Sequence, residues 1–150
     1  MNLSTKHFGD IEYEETSIIT FSHGLPGFPD TRQYILIGDN TPNDLFYWLQ
    51  CLDDVDIAFA LIDVYQLMPS YNPLVDPGLI EELGDLSEGQ LEIYNITVIP
   101  EELKQIRVNL KAPIVINPVT QRGMQVIVSN EEYSIRHYIF EEIENACTNT

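Results

Sequence analysis

The chain of 150 residues carries 24 acidic against 7 basic side chains, a formal charge of -17, and such a field opposes direct binding to nucleic acid or to anionic membrane. Its length is enough for one core without metal or disulfide support. Hydrophobic residues make up 44% of the sequence, and the core candidates are mostly β-branched or aromatic, which predicts one mainly β domain.

The charge is uneven. From Gln33 to Leu103 there are fourteen Asp or Glu and no Lys or Arg, so the middle of the chain either keeps the protein soluble or speeds encounter with a basic protein surface. Met1 to Asp10 lacks the apolar stretch of a cleavable leader, and no apolar run approaches the length of a membrane span; a cytoplasmic protein is expected. In that compartment Cys51 and Cys147 are free thiols, and the sequon at Asn95 has no use.

Taken in order, Thr5 to Phe8 and Ile11 to Tyr13 flank a Gly9-Asp10 turn and predict an opening hairpin. Ser17 to Phe21 is a strand that runs into His23-Gly24-Leu25-Pro26-Gly27-Phe28-Pro29, a loop whose glycines and prolines exclude regular structure and whose Leu25 and Phe28 should anchor it to the core. Tyr34 to Ile37, Phe46 to Leu52 and Ile57 to Ile62 are three further strands. In the second of them Trp48 is either a core ring, the favoured reading, or an interface anchor. Asp53, Asp54 and Asp56 follow it, but the glycine and closing glutamate of a calcium loop are absent, leaving a solvated turn.

Val64 to Gly84 is irregular. Asp76 is placed to cap a short helix that runs from Pro77 or Gly78 to Leu83, with Gly84 fitting its end. Leu91 to Ile99 alternates as a long strand, and Arg107 to Asn117 is the segment around which the rest is organised. Val108 and Leu110 alternate with polar residues before the apolar run Ile114, Val115, Ile116, and Pro113, which has no amide proton, predicts an edge or bulge where the strand bends. A turn from Asn117 to Gly123 leads back through Met124 to Val128 as a hairpin. Tyr133 to His137 is extended, Ile139 to Ala146 allows a terminal helix, and residues 147–150 should fray. Roughly nine short strands with regular turns point to an antiparallel β-barrel-like or sandwich fold. Its expected core includes Leu25, Phe28, Leu49, Phe59, Val98, Leu110, Ile114 and Ile116.

Chemistry has no visible address. His7, His23 and His137 are far apart, no Ser or Cys stands beside a recognisable base, and neighbouring acids such as Glu81-Glu82 are what a solvated acidic face contains. No catalytic residue, metal site or cofactor is expected, and the loop at His23 to Phe28 lacks the helix start and lysine that hold phosphate. Arg136-His137 is read either as a binding surface or, by preference, as a structural ion pair made by Arg136.

Several stretches together resemble one family, the bacterial flagellar assembly factor FliW. They are Ile19-Thr20-Phe21 with Gly24-Leu25-Pro26-Gly27-Phe28, then Phe46, Leu49-Gln50 and Ala58-Phe59, then Asn109-Leu110-Lys111-Ala112-Pro113-Ile114-Val115-Ile116-Asn117, and Gly123, Gln125, Tyr133 and Arg136-His137. Pro29 and Val64 depart from that pattern, as does a longer tail from Tyr138. The resemblance implies a non-enzymatic protein, monomeric when free, that binds flagellin before export and, in exchange, the RNA-binding translational repressor CsrA. The alternatives are a dedicated flagellin chaperone without a translational role, or a small-molecule-binding barrel. An acidic surface suits a partner that must be basic to hold RNA. The candidate partner-binding residues are Asp53, Asp54, Asp56, Glu81, Glu82 and Asp85, from turns where side chains reach outward, together with Arg136 and His137.

Overall fold

A computed structural model describes the chain apart from residues 7, 26, 39–44, 85–90 and 149–150, with the side chains of 146–148 also left aside. The strands are β1 Asn2–Thr5, β2 Gly9–Glu12, β3 Ile19–Phe21, β4 Gln33–Gly38, β5 Phe46–Cys51, β6 Ala58–Ile62, β7 Glu92–Val98, β8 Arg107–Val108, β9 Ile114–Asn117, β10 Arg122–Gln125 and β11 His137–Tyr138. The helices are α1 Pro77–Ile80 and α2 Phe140–Thr148. Strands β3, β4, β5, β6, β7, β9 and β10 pair in that order, and β10 returns to β3, closing a seven-stranded barrel. Every joint is antiparallel except β3 with β10, which is parallel.

Closure hides the strand edges that an open sheet would expose. The interior is filled by Phe21, Tyr34, Leu49, Leu61, Ile114 and Ile116, none of them more than 1% exposed. A second apolar layer lies outside the barrel, where Tyr71, Ile106, Val108, Leu110 and Ile139 pack on Ile62 and Val64. Leu83, Val115, Met124 and Val126 form a third.

The stretch from Arg107 to Asn117 is one antiparallel partner of β7 with a break in it. Thr97 pairs with Val108 and Tyr94 with Ile114, so Asn95 and Ile96 face the whole of Asn109 to Pro113. This is an enlarged bulge, at the place where Pro113 has no proton to donate. Asn109 closes it with Oδ1, which accepts from the amides of Lys111 (3.1 Å) and Ala112 (2.9 Å). From β7 the buried Asn95 Nδ2 donates to Asn109 O (2.9 Å) and to the Tyr71 hydroxyl (3.0 Å), which donates in turn to Leu110 O (2.7 Å). Burial also removes Asn95 from any role as a glycosylation acceptor.

Two expected core residues are displaced. Phe28 is 38% exposed and Val98 45% exposed. Within the glycine loop Leu25 bonds back to Phe28 across a tight turn, so Leu25 enters the core while Phe28 lies over it, its ring 5.8 Å from Phe59. Phe59 itself is partly buried against the barrel core. Val98 shares a face with Ile96, but the pairing of β7 with β6 ends at Ile96, and two residues further on there is no interior to enter.

The opening hairpin is also shifted. Thr5 Oγ1 donates to Gly9 O (2.9 Å) and accepts from the Phe8 amide (3.0 Å), which places the turn before Gly9 and puts Gly9-Asp10 in β2. Phe8 then rests edge-on against Trp48 at 5.5 Å, so the indole is a half-buried ring on the barrel's outer wall. Around α1 the expectation holds: the Asp76 carboxylate accepts from the Gly78 amide, Pro77 occupies the first turn, and Gly84 ends the following 3-10 turn at φ +99. Of the extended piece expected at Tyr133 to His137 only His137 is in a strand; β11 is His137–Tyr138, and it pairs with the two residues of β8. The expected fraying at the C-terminus falls at the border of the described residues.

Ile116 lies at 1% exposure in the barrel wall, so Ile116→Ala should cost about 2 to 5 kcal/mol in denaturant unfolding. A change within the scatter of surface substitutions would mean that this strand does not line the core. Burial pushes the Tyr34 and Tyr71 phenols up to about 12. Their neutral forms are favoured by folding, so the stability they add is complete below their ordinary range near 10 and is lost as pH rises from there towards 12. Unfolding measured across that window should show the decline, and phenolate absorbance from these two rings should appear only as the chain unfolds.

Candidate partner-binding surfaces

The antiparallel order brings three connections to one mouth of the barrel: 22–32 between β3 and β4, 52–57 between β5 and β6, and 99–106 between β7 and β8. In the second, Asp53, Asp54 and Asp56 are all exposed. Asp53 is also a fastener, since Oδ2 accepts from the amides of Arg32 (2.7 Å) and Gln33 (2.9 Å), and Asp54 Oδ1 accepts from the Asp56 amide (3.0 Å). From below, the fully buried Gln50 donates Nε2 to the carbonyls of Cys51, Val55 and Ile57, which fixes the turn. Cys51 is buried beneath it, and burial pushes its thiol up, away from the thiolate a nucleophile needs.

Glu81 and Glu82 stand elsewhere, on the long β6–β7 connection, which packs over β9 and β10 from outside. Leu83 O accepts from Asn117 Nδ2 and Thr120 Oγ1, and Leu83 joins Val115 and Met124. There Glu82 Oε2 meets His23 Nε2 at 2.7 Å, tying the connection to the glycine loop. Glu81 is exposed, and Asp85 lies outside the described residues. The five acidic candidates among the described residues therefore do not form one patch.

At the other candidate pair, the carboxylate contact expected of Arg136 is made instead by His137, whose Nε2 is 3.2 Å from Glu142 Oε1 on α2. The physical reason is position: His137 lies in β11 three residues before the first residue of α2, whereas Arg136 is exposed ahead of the strand and has no ion-pair partner among the described residues. Among the described residues no group of His, Cys, Asp and Glu is arranged to hold a metal ion, and no helix is long and apolar enough to cross a membrane.

Sequence reasoning missed one surface. In the β7–β8–β11 flap, Val98 pairs with Arg107 and Arg107 with Tyr138, while Thr97 pairs with Val108 and Val108 with His137. The only sequence signal was misleading, because Val98 alternates like a core residue.

The FliW protein family model matches residues 2–139. The chain is 44% identical over 149 residues to the flagellar assembly factor FliW of Thermoanaerobacter pseudethanolicus, covering 99% of each chain. With the flagellar assembly factor FliW of Caldanaerobacter subterraneus subsp. tengcongensis it shares 42% identity over 146 residues, 97% of each. A crystal structure of the flagellar assembly factor FliW superimposes with a TM-score of 0.84 at 34% identity, over 93% of this chain and 97% of that one. With its barrel matched in three dimensions and its sequence matched along nearly the whole length of these relatives, the chain belongs to the FliW family of flagellar assembly factors.

Proposed function

We propose that this chain is a cytoplasmic, non-enzymatic partner switch that binds flagellin before export and, when flagellin is scarce, sequesters the RNA-binding repressor CsrA. Family membership supports the flagellar setting. The observation that favours the repressor as a partner is the acidic middle of the chain: Asp53, Asp54, Asp56, Glu81 and Glu82 are all exposed, in a stretch with fourteen acids and no Lys or Arg. A protein that holds RNA must present cationic surface, and opposed potentials steer such a pair together. Docked within about one Debye length of the RNA site, roughly 8 Å at physiological salt, the same carboxylates repel phosphate without covering that site.

Two experiments separate this reading from a flagellin chaperone with no translational role. In the first, the purified protein is mixed with CsrA and a fluorescent RNA, and flagellin is titrated in. RNA should leave CsrA when the protein is added and return as flagellin accumulates; RNA that stays bound throughout refutes the switch. In the second, CsrA association is timed at low and high salt for the wild type and for Asp54→Asn, Asp56→Asn, Glu81→Gln. Asp53 is left intact because its carboxylate holds two backbone amides. Association of the variant should be several-fold slower at low salt and less salt-dependent; identical rates and salt slopes would remove these acids from the mechanism.

A further inference from the structure

Barrel closure leaves a length of β4 without a ladder on one side. The strand runs from Gln33 to Gly38, but β3 meets it only at Gln33 and Tyr34, because the chain ahead of β3 turns off in the 3-10 turn Glu15–Ser17. The Phe21 amide donates to Arg32 O, and pairs that exchange hydrogen bonds alternate along an antiparallel ladder, so Ile19 and Tyr34 form the next such pair. By the same alternation the amides and carbonyls of Leu36 and Gly38 point to the β3 side, while those of Ile35 and Ile37 serve β5. The bond from the Leu52 amide to Gln33 O, on the β5 side, agrees with this phase. Among the described residues no hydrogen bond reaches Leu36 or Gly38 from the β3 side.

A groove of about 580 Å³ opens along this edge, between residues 35–38 and the stretch 11–14 that ends the opening hairpin. Ile11, Tyr13, Leu36 and Ile37 are half-buried in it, and Glu12 and Glu14 are exposed. No Lys, Arg or His is among its lining residues, and the exposed Glu15 adjoins it. The N-terminal ammonium, which donates to Tyr13 O (2.9 Å), offsets only part of that charge. Strand edges that stay unpaired are commonly blunted by Lys, Pro or a bulge. Leu36-Ile37-Gly38 has none of these, and its register with β5 is continuous.

We infer that the β4 edge at Leu36 to Gly38 is a docking site for an extended protein segment in which apolar residues alternate with Lys or Arg. The segment adds as an antiparallel strand in line with β3 and supplies partners to the free amides and carbonyls of Leu36 and Gly38. Its apolar side chains lie on Ile11, Tyr13 and Ile37, and its cations meet Glu12 and Glu14. The groove's own charge selects this occupant: a second copy of the chain would bring the same acids and a charge of -17 against them. Gly38 pairs with Tyr47, at the far end of β5 from the Asp53 turn, so the site is separate from that turn.

Fluorescence anisotropy at physiological salt tests the assignment with a labelled peptide of alternating valine and lysine. The peptide should bind the wild type saturably, and its fully N-methylated counterpart, equal in charge but without amide donors, about tenfold or more weakly. Gly38→Pro removes a donor from the open edge and leaves the β5 ladder whole, and a Cβ there meets only the Tyr47 ring at 3.8 Å. This variant, and Glu12→Gln combined with Glu14→Gln, should each bind the peptide several-fold more weakly. Glu101→Gln combined with Glu102→Gln, exposed at the other mouth of the barrel, should stay within about twofold of the wild type. Amide hydrogen exchange should be fast at Leu36 and Gly38 in the free protein and slowed by the peptide. Thermal melts check folding; should Gly38→Pro melt early, the N-methylated peptide and the exchange rates decide. Absence of saturable binding, equal binding of the N-methylated peptide, or an equal loss in the Glu101 and Glu102 variant overturns the assignment. So does dimerisation of the protein alone that Gly38→Pro abolishes, which would give the edge to a second copy.

Discussion

The rest of the structure depends on how the Arg107–Asn117 segment fits against β7. Both ends of it pair with β7 in the same antiparallel sense, but five residues must be accommodated opposite two, and the surplus is held by hydrogen bonds in place of ladder bonds. Asn95 is central because its carboxamide reaches from β7 to both the Asn109 carbonyl and the Tyr71 hydroxyl. The Nδ2 donations to two elements tie them together, while the Asn95 Oδ1 is buried among the described residues without a hydrogen-bond partner. Beyond the bulge, β9 is free to complete the barrel wall; before it, β8 carries the sheet outward into the flap with β11.

Barrel closure adds a steric condition on the opposite side of β9. At the parallel joint Gly123 lies against Phe21, and a Cβ there would fall 2.7 Å from ring carbons of that side chain. Only glycine lets the two backbones pair over a filled interior. The glycine loop obeys a similar limit, since Gly24 has φ +67 and a Cβ would stand 2.5 Å from Phe28 O. Two residues without side chains thus decide where the barrel shuts and how Leu25 enters it.

These constraints separate the protein's surfaces. The acidic turn at Asp53 to Asp56 is rigid because Gln50 and the Arg32 and Gln33 amides hold it, so its carboxylates present a fixed field. The flap row of Val98, Arg107 and Tyr138 is apolar with one cation, and it exists only because β7 outlasts its pairing with β6.

By itself the sequence determined the elements whose signals are local. Alternation marked β4 to β7, the Asp76-Pro77 start and Gly84 end marked the α1 region, and the missing proton of Pro113 marked the bulge. It also carried the family, through motifs spread along the chain, and the acidic bias of the middle. Tertiary structure alone decided which apolar residues are covered. Val98 and Ile96 have the same periodicity, and their fates differ because burial depends on whether a neighbouring strand is still present, which no local pattern encodes. The same holds for the candidate surfaces: Asp53 and Glu82 are alike as sequence, but one fastens two backbone amides and the other pairs with His23. Arg107 gained its exposed neighbours only when β11 folded beside it, because cross-strand register joins residues that are distant along the chain.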